Sequence, residues 1–142
     1  MAIAIGIVFG LLWTALSYGR GGNALAMSWE RPVMAVIGIW LAFGEELAVR
    51  GFLMENLRRG GVPAWVQVVV SALVMGFYHG ILGFTYSVQY AIASAVLFGI
   101  VSLIFLIGRR SLTPGLLSHA MPHVLGDPTL TEGILRGVLA AG

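Results

Sequence analysis

The sequence predicts an all-α fold, a polytopic membrane helix bundle of about five membrane helices. Three observations carry this reading. Of the 142 residues, 58% are hydrophobic and 10% are charged, whereas a soluble domain carries about 25% charged residues, so too few polar groups remain to coat a water-soluble globule. The mean hydropathy is +0.94. Apolar runs near the roughly 20 residues that a membrane-crossing helix needs are set apart by Gly, Pro and Arg clusters.

The first run is Met1 to Tyr18, followed by a glycine-rich loop, Gly19 to Arg31, closed by Pro32. Ala24-Leu25-Ala26 resembles a signal-peptidase site, but the run before it has no positive n-region and is read as a helix of the domain. The second runs from about Val33 to Leu57 and ends at Arg58-Arg59-Gly60-Gly61. The third opens at Pro63, a residue suited to a first helical turn, and continues to about Phe84. The fourth, Ser87 to Ile107, ends at Gly108-Arg109-Arg110. Thr113-Pro114 reads as an N-cap and first-turn proline opening a shorter fifth helix, which Gly126-Asp127-Pro128 stops before a weakly amphipathic tail, 129 to 142. Residues 1–142 read as a single membrane domain. The Gly6/Gly10 and Gly76/Gly80 spacings suit close helix crossings. Arginines 58, 59, 109 and 110, weighed against 20, 31 and 136, favour a cytoplasmic N-terminus.

Composition also removes chemistry. Without cysteine there is no thiolate nucleophile, disulfide or Cys-type zinc site, and without lysine there is no Schiff base or phosphate-binding P-loop lysine. Asp127 is the only aspartate, so no aspartate pair forms within the chain. A net charge of +2 gives no footprint for nucleic acid. Catalysis, if present, falls to glutamates and histidines.

Those residues stand where lipid is expected. Glu45, Glu46 and Arg50 lie between the uncharged run Val33 to Phe43 and the apolar Phe52-Leu53-Met54. Each charge placed at a bilayer centre costs at least about 2.5–3.5 kcal/mol, so such groups pair with one another or face a polar cavity. Glu46 and Arg50 are i,i+4 neighbours with the glutamate on the N-terminal side, the better arrangement for an ion pair. Glu45 points about 100° away around the helix and is left available as a general base. His79 falls late in the third segment. His119 and His123 lie i,i+4 on the fifth, with Pro122 expected to kink or end that helix.

These residues resemble the motifs of the CAAX prenyl protease and bacteriocin-processing (CPBP, or Abi) family of intramembrane endopeptidases. The family pattern is EExxxR, then FxxxH, then HxxxN or HxxxD on successive membrane helices. Glu45-Glu46-Leu47-Ala48-Val49-Arg50 matches the first. His79 matches the second, with Met75 in the phenylalanine position, and His119 matches the third, with His123 in the Asn/Asp position. The resemblance covers about residues 33–126. It implies that Glu45 activates water, His79 positions it, Glu46 and Arg50 hold the carboxylates and the substrate, and His119 with His123 stabilises the oxyanion. The donor set Glu45, His79, His119 and His123 serves either a glutamate-activated water or a zinc ion, and no other cofactor is implied.

The resemblance further implies a multi-pass protein of the bacterial cell (inner) membrane, in contact with lipid and with a membrane-associated peptide or protein substrate. The altered second and third motifs and the short chain set a second expectation beside it, a catalytically retired bundle acting as an accessory subunit of a larger membrane complex. A third expectation is a proton or ion path through the Glu/His cluster.

Overall fold

Every element among the described residues is helical. The computed structural model describes residues 1–18, 30–82 and 88–126. Helix α1 is Ala2–Tyr18. Helix α2 runs over Glu30–Glu46, widens into a π-helical stretch at Leu47–Leu53 and returns to α-helical form over Met54–Arg59. Helix α3 covers Ala64–Phe77 with a π-helical end at Tyr78–Leu82. Helix α4 is Val88–Ile107 and α5 is Leu112–Leu125. Expectations about the 19–29 loop, the ends of the third and fourth segments near 83–87, the Asp127-Pro128 stop and the 129–142 tail lie outside the described residues.

Several boundaries differ from the sequence reading for local reasons. Ser111, not Thr113, caps α5, its hydroxyl accepting from the Thr113 N–H at 3.4 Å. Pro114 becomes the third helical residue, where a missing N–H costs nothing because the first four have no intrahelical partner. Pro63 occupies the cap of α3 rather than its first turn. Pro122 neither ends nor breaks α5, which continues to Leu125. That helix is packed on one side by α1 and on the other by α2, and this tertiary support outweighs the one backbone bond that the proline removes.

Glycines set the helix crossings. Gly6 faces the Pro114 carbonyl and Gly10 faces Ser118 O and the Met121 side chain, so α1 lies close along α5. The Ser118 hydroxyl, shared between Pro114 O (2.8 Å) and Gly6 O (3.0 Å), ties that crossing. Gly76 and Gly80 receive Ala91 and Ala95 of α4, and Gly38 of α2 makes room for the His123 ring of α5. Across α3 and α4, Ser71 and Ser102 share a buried hydrogen bond of 2.8 Å.

Both ends of the bundle are fastened by arginine. Arg31 on α2 donates to Leu125 O at 3.0 Å, placing a cation at the C-terminus of α5. At the α4–α5 turn, Arg109 and Arg110 adopt φ of 56° and 65°, a left-handed conformation that residues with a Cβ adopt at some cost. The Arg110 N–H closes the turn on Phe105 O (2.9 Å), and its guanidinium donates to Gln67 Oε1 of α3 at 2.8 Å.

Polar and apolar residues are distributed inside out. Glu46, Arg50, Gln67, Ser71, Ser94, Ser102, Ser118 and all three histidines are buried. Trp40 (74% exposed), Phe52, Trp65, Leu73 and Phe77 point outward. Two helical stretches, Arg31–Arg59 and Val88–Ile107, are long and apolar enough to cross a membrane by length and composition.

The crossings give a paired stability test. A Cβ on Gly76 would stand 2.8 Å from Ala91 O and Ala95 Cβ, whereas one on Gly44 would meet nothing within 4 Å. Thermal unfolding in detergent should show Gly76→Ala destabilised by about 1–3 kcal/mol, and Gly44→Ala unchanged or raised by about 0.5–1 kcal/mol through helix propensity.

Candidate active site

The site is built where two π-helical turns face the middle of α4 and α5. Glu45 and Glu46 are the last α-helical residues before the π stretch that carries Arg50, and His79 lies in the second π stretch. A π turn admits an extra residue and re-aims the side chains that follow it, and such turns concentrate at functional sites.

Arg50 is fully buried and Glu46 is 1% exposed, and their side chains pair at 3.2 Å between Nη1 and Oε1. The expected i,i+4 ion pair therefore forms. Its environment makes it tolerable. Arg50 Nη2 donates to Phe98 O of α4 at 2.8 Å, and the guanidinium lies over the Phe98 ring, 5.2 Å from its centroid. Glu46 Oε1 also accepts from His119 Nδ1 at 3.1 Å. Gly115 lets α5 approach this carboxylate, since a Cβ there would stand 2.9 Å from Glu46 Oε2.

These contacts decide how the imidazoles are presented. A carboxylate only accepts, so His119 donates from Nδ1, and the Nδ1–H tautomer of the ring carries its lone pair at Nε2. His79 likewise donates from Nδ1 to Met75 O at 3.0 Å, leaving Nε2 as its acceptor. Both Nε2 atoms face Glu45 Oε2, at 3.6 Å from His119 and 3.8 Å from His79. That carboxylate oxygen is buried and no protein group donates to it. Two imidazole nitrogens and a carboxylate oxygen thus converge at separations too long for direct hydrogen bonds, and one water has donors for two of the three. Glu45, at 13% side-chain exposure, is the more accessible of the two carboxylates.

Glu45, Glu46, Arg50, His79 and His119 therefore form one cluster drawn from α2, α3 and α5. His123 joins it beside His119, with ring centroids 5.6 Å apart. Among the described residues, no group of three acidic or imidazole side chains takes a metal-holding arrangement. The zinc expectation thus gains no ligand set among the described residues.

Two further residues escaped the sequence reading. Phe98 is buried at the centre, stacked on His79 (4.9 Å, 28°) and edge-on to His119 (4.7 Å, 82°). Trp13 of α1 lies parallel to His119, at 5.5 Å and 7°. Phe98 is one of many apolar residues in its helix, and Trp13 stands in the first run, far from any motif. Neither carries a sequence signal.

A family model described as Type II CAAX prenyl endopeptidase Rce1-like matches residues 27–125. No curated protein and no solved structure matches the chain.

The buried pair predicts asymmetric mutational costs. Arg50→Met leaves Glu46 buried without its cation and should cost about 3–5 kcal/mol in thermal unfolding. The double variant Glu46→Leu/Arg50→Met should recover a large part of that loss, because neither charge then remains in the core.

Proposed function

The chain belongs to the Type II CAAX prenyl endopeptidase Rce1-like family, and on that premise we propose that it is an intramembrane endopeptidase. It hydrolyses a peptide bond of a membrane-associated peptide or protein with a water activated by Glu45. The observation that carries this reading is the convergence of Glu45 Oε2 with the acceptor nitrogens of His79 and His119. The inside-out burial of polar groups and the two long apolar helices support a bundle set in lipid, for which this reading takes the bacterial cell membrane.

In this mechanism the water lies between Glu45 and the two imidazoles. Glu45 removes its proton as the oxygen attacks the scissile carbonyl carbon, forming a C–O bond and an oxyanion. The same proton then passes from Glu45 to the leaving nitrogen as the C–N bond breaks, giving a carboxylic acid and an amine, and the acid's proton then passes to the amine to leave a carboxylate and an ammonium. Glu46 and Arg50 hold His119 and the helix without exchanging protons. Because Glu46 fixes the Nδ1–H tautomer, His119 donates to the oxyanion from Nε2 only after gaining a second proton. His123, beside it, is the neighbouring imidazole able to donate in its neutral form. A partner complex is not required by this chemistry.

The test is turnover in proteoliposomes against a panel of membrane peptides that includes prenylated C-terminal sequences. Glu45→Gln should lower kcat/KM by about 10²–10⁴-fold with an unchanged melting temperature. Undiminished cleavage by that variant would remove Glu45 as the base. No cleavage by the native chain, with no phenotype for Glu45→Gln, would favour the accessory-subunit reading. A glutamate route also predicts that exhaustive chelation leaves turnover intact, whereas a loss restored by zinc would assign the reaction to a metal.

A further inference from the structure

We propose that Trp13, on the helix that lies outside the family-matched residues 27–125, is a positioning residue that fixes the plane of the His119 imidazole. The proposal rests on the endopeptidase reading and adds a part to its site. A single hydrogen bond, from His119 Nδ1 to Glu46 Oε1, selects the tautomer only while the ring plane keeps Nδ1 aimed at that oxygen. The water site requires the other nitrogen, Nε2, to keep its aim at Glu45 Oε2, 3.6 Å away.

Aromatic contacts supply the missing constraint. The indole of Trp13 lies 7° from parallel with the imidazole, at 5.5 Å, while Phe98 meets the same ring at 82° and 4.7 Å. One ring thus covers a face of His119, and the second meets it nearly at a right angle, so rotation about the ring's own bond is blocked. Trp13 is itself held, edge-on to Phe98 (5.4 Å, 88°) and against Phe9 (6.0 Å). Its helix is fastened to α5 at Ser118, the residue immediately before His119, through the Gly6 carbonyl. Movement of α1 is therefore tied to movement of the histidine. An aromatic pair of this kind contributes beyond simple area burial, and here that contribution goes into orientation.

The test uses the full chain in lipid nanodiscs, labelled with ¹⁵N-histidine, as native protein, Trp13→Leu and Trp13→Phe. Leu12→Ala, at an exposed position on the same helix, is the control. The ¹⁵N spectrum should show native His119 as a single Nδ1–H tautomer, and Trp13→Leu as a mixture of both. In the peptide assay Trp13→Leu should lose about tenfold in kcat with KM changed less than about twofold. Trp13→Phe should retain most of the activity and the single tautomer, and Leu12→Ala should move neither reading. Should Trp13→Leu fail to fold, Trp13→Met carries the same comparison, since its unbranched side chain fills the gap without a ring plane. A folded variant without the indole that keeps one His119 tautomer and native kcat overturns the proposal. Absence of cleavage by native protein defeats the endopeptidase reading instead, and the tautomer spectra then decide the role of Trp13 by themselves.

Discussion

Much of this structure depends on one buried ion pair. Removing a carboxylate and a guanidinium from water costs several kcal/mol for each ion, and Glu46 and Arg50 are almost wholly enclosed. Two other helices take up part of their hydrogen-bonding capacity, while Glu46 Oε2 and Arg50 Nε are left without a hydrogen-bond partner. Phe98 O of α4 receives Arg50, and His119 of α5 donates to Glu46. The pair therefore does more than neutralise itself. It fastens α2 to α4 and α5, and it selects the tautomer in which His119 presents its second nitrogen to Glu45.

That arrangement explains why two adjacent glutamates have different surroundings. Side chains one residue apart on a helix diverge by about 100°, so only one carboxylate reaches Arg50, and it is the more deeply buried. Its neighbour turns toward the histidines, keeps some access and receives no protein donor. One anion is held as structure while the other faces the Nε2 atoms of His79 and His119. The glycines contribute at a distance: without a side chain at Gly6, Gly10 and Gly115, α5 approaches both α1 and the Glu46 carboxylate, which brings His119 within reach.

Much of the architecture was legible in the sequence, because the signals that mark helices in an apolar chain are coarse. Runs of hydrophobic residues and Gly-Arg breaks located five helices, and the i,i+4 spacing of Glu46 and Arg50 identified their pairing. Sequence spacing could not reveal the two π-helical turns, since the motif reads the same whether the turn around Arg50 is regular or widened. The α5 cap at Ser111 was missed because Thr113-Pro114 offers the stronger local pattern. Pro122 was expected to disturb a helix that packing on two sides holds intact. The aromatic surroundings were invisible for another reason: nothing separates Phe98 from the other apolar residues of its helix until its neighbours in space are known.

Whether Glu45, His79 and His119 share one water is the question on which the account turns, and proton-detected solid-state NMR in bilayers addresses it directly. Magnetisation transfer from water protons to the ¹⁵N nuclei should reach Nε2 of both His79 and His119, each an unprotonated acceptor, with both signals lost together when Glu45 is replaced by leucine. Dry nitrogens, or water contacts at the two histidines that respond independently to that replacement, would contradict a common hydrolytic site.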